Sequence, residues 1–74
     1  MKVQQCRMAR GALKWSFEDL AKAAGVSRMT VARFESGKDI AGDSLEAMQT
    51  ALEAQGVQFG RKAGRLSVSV PENK

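Results

Sequence analysis

Two helix-start signals, eleven residues apart, constrain the fold of this chain more than any other feature of its sequence. Ser16 and Asp19 are spaced as an N-terminal capping box, in which each side chain bonds a backbone N–H that the first helical turn leaves free. Ser27 is placed to cap a second helix, and Gly25 stands just before it, where a left-handed residue that ends a helix costs little. The signals predict two short helices joined by a tight turn, over about residues 17–24 and 28–36.

The apolar residues of these two helices fall on facing sides, so the pair must pack together at a steep angle as a helix-turn-helix. Trp15 and Leu20 are spaced as a hydrophobic staple before the first helix, and Val26 and Val31 repeat that spacing before the second. A short cationic helix face that is held away from its own core suits a DNA major groove. The residues left on this outer face of the second helix are Arg28, Met29, Thr30 and Arg33.

Two further helices are predicted on either side of this pair. Apolar spacing predicts the first over about residues 3–13. Asp43 and Glu46 are spaced as another capping box, which predicts a helix over about residues 44–55, and Gly56 is placed to end it. The sequence therefore contains four helices before its C-terminal segment.

An ion pair is expected between the first and third helices. Arg10 and Glu35 are placed to lock these helices together, and Gly37 is placed to end the third helix just after Glu35. A buried pair of this kind would give orientation more than stability, because desolvation offsets much of its Coulomb attraction.

Beyond the fourth helix the apolar period changes to that of a strand. Segments 57–59 and 66–70 alternate apolar and polar residues, which predicts a β-hairpin or two short strands with Leu66, Val68 and Val70 on one face. Because a lone hairpin is marginal in water, it must pack on the helices or pair with the same segment of a second subunit. We expect pairing, since an unpaired apolar edge invites a partner strand, and we expect those three residues to form the dimer contact.

Size and composition limit the classes of protein to be considered. At 74 residues the chain forms one domain without room for a sizeable internal cavity. A single cysteine, Cys6, cannot form an intramolecular disulfide, which suits a reducing compartment. No apolar run approaches the roughly 20 residues that span a bilayer, and residues 1–10 lack the apolar segment of a secretory signal. We therefore expect a cytoplasmic protein without membrane contact.

The charge is distributed unevenly along the chain. Residues 1–38 contain eight Lys or Arg against three Asp or Glu, giving +5, whereas residues 39–60 carry −4 and residues 61–74 carry +3. Positive charge on the helix-turn-helix and the tail favours a polyanionic partner, although a solvated surface would look the same by charge alone. For the tail residues Arg61, Lys62 and Arg65, both DNA contact and simple solubility of a turn remain open.

Catalysis and metal binding find no support in the sequence. The chain has no His and no Tyr, and one Cys without a His partner lacks the usual nucleophile pair. One Cys and no His also exclude a zinc site of the common types. We expect no enzyme, no metal and no cofactor.

The helix-turn-helix segment also resembles a known family. The run LAKAAGVSRMTVARFESGK (residues 20–38), together with Arg10 upstream, resembles the Cro/Xre-type (phage-repressor-like) helix-turn-helix family, over residues 4 to about 56. The expected fold is mainly α: a four-helix repressor-like helix-turn-helix domain with a short C-terminal β-hairpin or strand. The expected domains are residues 1–56, which bind DNA, and residues 57–74, a strand or hairpin extension that serves dimerisation.

The resemblance implies that the third helix is the recognition helix and that the protein binds double-stranded DNA as a homodimer. The positions that it places at base edges are those of Arg28, Met29 and Arg33. The positions that it places near the sugar–phosphate backbone are those of Ser27, Ser36 and Lys38, to which the cap residue Ser16 and the outer-face residue Thr30 are added. The structural salt bridge of the family matches Arg10 and Glu35.

Three features depart from the family pattern. Phe17 occupies a position usually held by a glutamine that contacts phosphate and braces a recognition residue. Lys14 replaces a frequent glycine, so the turn before Trp15 must form without easy left-handed geometry. A strand-forming tail stands where many members have a fifth helix.

The leading hypothesis is a sequence-specific transcriptional regulator, a repressor that reads a palindromic operator with its third helix in the major groove. The alternative is a protein-binding antitoxin or antiactivator, with a toxin or an activator as its protein partner. Phe17 and the strand-forming tail motivate this alternative. An accessory DNA-bending factor of a mobile element is a third hypothesis.

Overall fold

The computed structural model describes residues 1–71, in which four α-helices precede an antiparallel hairpin. The predicted mainly α fold with a C-terminal hairpin is confirmed. The end of the predicted extension, residues 72–74, lies outside the described residues. The elements are α1 (Val3–Leu13), α2 (Phe17–Ala24), α3 (Arg28–Glu35), α4 (Gly42–Glu53), β1 (Gln58–Lys62) and β2 (Arg65–Ser69).

The helix-start signals of α2 and α3 form as the sequence predicts. The Asp19 N–H donates to Ser16 Oγ at 3.1 Å, and the Ser16 N–H donates to Asp19 Oδ2 at 2.9 Å, which completes the capping box. Ser27 Oγ accepts from the Thr30 N–H at 3.1 Å. Gly25 ends α2 in the left-handed region, with φ at 72°. Local capping thus fixes both ends of the turn between α2 and α3.

The predicted bounds of α4 are wrong by two residues at each end, since the helix spans Gly42–Glu53 and ends before Gly56. The helix begins at Gly42 after Ala41, because the Leu45 N–H donates to the Ala41 carbonyl at 3.1 Å and closes a turn before any side-chain cap. Asp43 therefore lies inside the first turn, where its Oδ1 accepts from the Ser44 N–H, and it forms no capping box with Glu46. Its charge at the N-terminus of the helix remains favourable.

The core lies where the four helices meet. α2 packs against both α3 and α4, and α1 packs against α3 and β2. Every helix contributes at least two of the buried apolar side chains, so no helix could be removed without exposing the others. These buried residues are Cys6, Ala9, Leu20, Ala21, Val31, Phe34, Met48, Ala51, Leu52 and Val57.

The hairpin is longer than predicted and its turn is shorter. β1 and β2 pair in register from Gln58–Ser69 to Lys62–Arg65 and leave only two residues in the turn. Ala63 and Gly64 both have positive φ, 52° and 76°, as a tight turn that matches the strand twist requires.

The hairpin packs on the helices of its own chain. Gln5 of α1 is 5% exposed, and its Nε2 donates to the carbonyls of Gly60 at 2.9 Å and Ser67 at 3.2 Å. Phe59 and Val68, which face each other across the strands, lie against the core. Phe59 and Val68 are therefore partly covered by their own chain without a second subunit.

Candidate nucleic-acid interface

Helix α3 has one buried and one exposed face. Val31, Phe34 and Glu35 are buried, and they anchor the helix on the core. On the other side Met29 is 71% exposed, and Arg28 and Arg33 are exposed as well. The three residues predicted to meet base edges thus share the solvent-facing side of one helix.

An ion pair fixes the orientation of α3. Glu35 is 4% exposed, and Arg10 donates to both of its carboxylate oxygens, from Nε to Oε2 and from Nη2 to Oε1 at 2.7 Å. The third nitrogen of the guanidinium, Nη1, donates to the Trp15 carbonyl at 2.8 Å. Arg10 therefore joins α1, α3 and the turn before α2, and the hydrogen bond with Glu35 raises its pKa. This pair is the one expected from the sequence.

Two more α1 side chains reach Glu35, which the sequence reasoning missed. The Cys6 thiol donates to Glu35 Oε2 at 3.4 Å, and Arg7 donates to the Glu35 backbone carbonyl with its Nε 3.6 Å from Oε1. Burial, and then the charge of Glu35, raises the pKa of Cys6 to about 12. Helical spacing could have predicted both contacts with Glu35. Cys6 and Arg7 lie four and three residues before Arg10 and so share its side of the helix.

The hydroxyl groups near α3 differ in their capacity to bind a phosphate. Ser16 and Ser27 are exposed cap residues whose oxygens accept backbone N–H groups. Ser27 Oγ also shares a hydrogen bond of 2.8 Å with Thr30 Oγ1, so one of their two protons stays free. Ser36 Oγ instead donates to the Arg33 carbonyl at 2.9 Å, which occupies its only proton.

Phe17 and Arg28 bring the first residues of α2 and α3 to one surface. One shallow depression is lined by Phe17, Arg28, Met29 and Ala32. A second, beside it, is lined by Arg10, Ser16, Phe17, Glu18 and Arg28. The predicted contact residues Ser16, Arg28 and Met29 thus lie together, whereas Phe17, Glu18 and Ala32 were not among the predicted contacts.

The turn before α2 is built around a lysine in an unusual backbone conformation. Lys14 has φ at 58° and ψ at 39°, the left-handed conformation that glycine adopts without strain. Its N–H donates to the Gly11 carbonyl at 3.2 Å, and the next N–H, of Trp15, donates to the Arg10 carbonyl at 2.8 Å. Lysine in place of glycine therefore raises the energy of this turn but leaves its left-handed geometry unchanged.

The residues predicted to form the dimer contact differ in how far they are buried. Leu66 is half-buried, Val68 packs against the core and Val70 is 39% exposed. Within residues 1–71 the sheet has only two strands, so each strand has one edge without a neighbouring strand.

Comparison with known families identifies the family to which the helical part of this chain belongs. A family model described as helix-turn-helix matches residues 7–56, two-thirds of the chain. The chain belongs to the Cro/C1-type helix-turn-helix family. Members of this family are DNA-binding regulators and are generally not enzymes. Comparison with curated proteins finds no significant match.

Residues 1–71 offer no membrane-spanning helix and no metal site as an alternative to the exposed side of α3. No helix in residues 1–71 is both long and apolar enough to cross a membrane. The same residues contain no cluster of three or more Cys, Asp or Glu side chains placed to hold a metal ion. For a member of the Cro/C1-type family, the exposed side of α3 is therefore the principal candidate site.

Proposed function

We propose that this protein is a sequence-specific transcriptional repressor that binds a palindromic operator as a homodimer, with α3 in the major groove. The exposed side of α3 carries the proposal, because it presents Arg28, Met29 and Arg33 while the opposite side is anchored on the core. Each guanidinium has the fork geometry that binds guanine O6 and N7, and an apolar Met29 suits a thymine methyl.

Arg28 is well suited to recognition because it has no ion-pair partner among residues 1–71. Among residues 1–71 the carboxylate ion pairs are those of Glu35 with Arg7 and Arg10, and none involves Arg28 or Arg33. An unpaired, exposed guanidinium reaches DNA without first losing an internal partner. Discrimination of about 1–3 kcal/mol per bidentate contact is expected.

Contacts to the sugar–phosphate backbone are proposed around the two caps and after α3. Ser16, Ser27 and Thr30 combine free hydroxyl capacity with helix N-termini, which favour anions. Lys38 is exposed and supplies a positive charge. Ser36 would contact phosphate only after its hydroxyl rotates away from the Arg33 carbonyl, so we assign it the weakest contribution.

Dimerisation is proposed through the apolar side chains of the hairpin that the helices of its own chain leave exposed. Val68 already packs against its own core, so Leu66 and Val70 are the apolar side chains that remain for a second copy. Sedimentation of the wild type and a Val70→Asp variant tests this assignment, with Ser69→Asp as the control. We expect only Val70→Asp to raise the dimer dissociation constant. Equal sedimentation of all three proteins would contradict the proposed contact.

The DNA-binding proposal is tested by selecting bound sequences from a random duplex pool. We expect a two-fold symmetric site with half-sites about 10 base pairs apart and an affinity that falls steeply with salt. Arg28→Ala should lose preference at one position in each half-site and keep most of its non-specific binding. Lys2→Ala removes one charge from an exposed residue outside α3 and should leave base preference unchanged. An Arg28→Ala variant with full preference would overturn the assignment of this residue.

A protein-binding antitoxin or antiactivator is the second candidate. The partly exposed Val70 favours a protein contact at the hairpin, whose sheet has only two strands within residues 1–71. Chromatography on heparin and on DNA from the protein's own locus separates the two functions. Absence of salt-sensitive DNA retention, together with a stoichiometric protein partner, would favour this second candidate over the repressor.

A further inference from the structure

An apolar depression opens on the same surface as the proposed DNA contacts. Phe17 of α2 and Met29 and Ala32 of α3 supply its apolar lining, and Arg28 supplies its only charged group. Met29 contributes an unusually exposed apolar side chain, at 71% of its full accessibility. A single exposed methionine is ordinary on a protein surface, but Met29 lies beside Phe17 and Ala32, and together they form one apolar patch.

Phe17, which lines this depression, is contacted from the other side of the site by Arg10. The Arg10 guanidinium lies over its ring, with Cζ 4.6 Å from the ring centroid, and Arg10 itself is fixed by Glu35 and the Trp15 carbonyl. A cation over an aromatic face is attracted to it, so the ring has a preferred position before any ligand binds. The lining of the depression is therefore preorganised on the α2 side.

We propose that this depression receives the C5 methyl group of a thymine that lies next to the guanine bound by Arg28. This inference rests on the proposed function; it adds the pocket that Phe17 and Ala32 complete around Met29 and the position of the thymine next to the guanine. The thymine methyl is the apolar group that the standard bases display in the major groove, and apolar side chains contact it directly. Arg28 lines the depression and precedes Met29 in α3, so the two contacts fall on the same or neighbouring base pairs.

Charge complementarity favours DNA over an apolar protein segment as the occupant. Arg28 has no ion-pair partner within residues 1–71, so a protein segment would have to bury its charge or supply a carboxylate. Duplex DNA supplies acceptors for the guanidinium and a methyl group for the depression at adjacent positions. Glu18 lines the neighbouring depression together with Ser16 and is not among the residues that line this one.

The test replaces thymine by deoxyuridine, which removes only the C5 methyl group, at each position of the selected operator in turn. We expect one position per half-site to lose about fourfold in affinity, which is the contribution of one buried methyl-sized group. That position should lie within about one base pair of the guanine at which Arg28→Ala loses its preference.

Protein variants link this effect to the depression. In Met29→Ala and in Phe17→Ala the thymine and deoxyuridine operators should bind within about twofold of each other. Met8→Ala, which alters an exposed methionine on α1, should keep the full fourfold difference. Circular dichroism checks folding, and Met29→Ala keeps the test valid if Phe17→Ala unfolds, because Met29 makes little contact with the core.

The two proposals fail in different ways. If the random pool yields no preferred sequence, the proposed function fails and the thymine contact fails with it. If a preferred sequence emerges and deoxyuridine is tolerated at every position, only the thymine contact is overturned. A methyl effect that persists unchanged in Met29→Ala would also overturn it, because the methyl group would then be bound elsewhere.

Discussion

Arg10 lies over the ring of Phe17, with its guanidinium carbon 4.6 Å from the ring centroid. The same guanidinium is bidentate to the buried Glu35, so one side chain couples the first residue of α2 to the last residue of α3. By the chain's resemblance to its family, the position of Phe17 is one usually held by a glutamine. Here an aromatic ring replaces a hydrogen-bonding side chain, and the arginine that holds α3 also positions the ring.

Removal of Arg10 should destabilise the protein far more than removal of Arg7. Arg10→Ala leaves the Glu35 carboxylate buried without its main partner, and a loss of about 3–5 kcal/mol is expected. The Arg7 side chain is 59% exposed, so Arg7→Ala should cost no more than about 1 kcal/mol. Urea unfolding monitored by Trp15 fluorescence measures both. Equal losses would mean that the pair contributes little beyond surface electrostatics.

Replacement of Lys14 by glycine should stabilise the protein. Lys14 adopts a left-handed conformation that costs a non-glycine residue about 1 kcal/mol, so Lys14→Gly is expected to gain about 0.5–1 kcal/mol and several degrees in Tm. Lys22→Gly is the matched control, because Lys22 lies within α2, where glycine should destabilise by about 1 kcal/mol. Thermal unfolding of both variants checks the opposite signs. A loss of stability in Lys14→Gly would contradict the strain argument.

Gln5 should matter for the hairpin in a way that its neighbour Gln4 does not. Gln5→Leu removes the donor to the Gly60 and Ser67 carbonyls and the acceptor of the Lys2 N–H, so a loss of about 1–3 kcal/mol is expected. Gln4 is exposed, and Gln4→Leu should change stability by less than about 0.5 kcal/mol. Hydrogen exchange should show lost protection in β1 and β2 for Gln5→Leu. Unchanged protection there would show that the hairpin docks without this side chain.

The free energy of unfolding should fall at alkaline pH, because the Cys6 thiol ionises more easily in the unfolded chain than in the folded protein. Its pKa is raised from 9.0 to about 12 by burial and by Glu35, so the folded protein retains a proton that the unfolded chain releases. The stabilisation is complete below pH 9 and is lost as the pH rises towards 12, by about 1 kcal/mol per pH unit.

Comparison with Cys6→Ala isolates this effect from the titration of lysines. Urea unfolding at pH 8, 9, 10 and 11 should show that wild type loses stability more steeply than the variant above pH 9. Parallel pH profiles would mean that the thiol ionises equally in the folded and unfolded states.

Helices α1, α2 and α3 were predictable nearly to the residue because their signals are local. Ser16, Ser27 and Gly25 act within one helical turn, and their hydrogen bonds do not depend on distant parts of the chain. The start of α4 was not predictable in this way. Ala41 has no side chain that caps a helix, so nothing in the local sequence marks Gly42 as the first residue.

The hairpin and the candidate site depended more on tertiary contacts. Ala63-Gly64 is a weaker turn signal than Asn-Gly, so the sequence indicated the strands but not the two-residue turn. The contact of Gln5 with Gly60 joins residues 55 positions apart, beyond the reach of any local pattern. Exposure of Arg28 and Met29 followed from helical periodicity, whereas the depression that they share with Phe17 required the packing of α2 against α3.

The attachment of the hairpin to α1 has a geometric consequence for operator recognition. Along this one helix, Gln5 holds the hairpin and Arg10 holds Glu35 at the end of α3. If two protomers meet through their hairpins, α1 keeps a constant distance between the subunit contact and helix α3 of each protomer. Such a dimer would tolerate base changes outside its contacts more readily than the insertion of a single base pair between its half-sites.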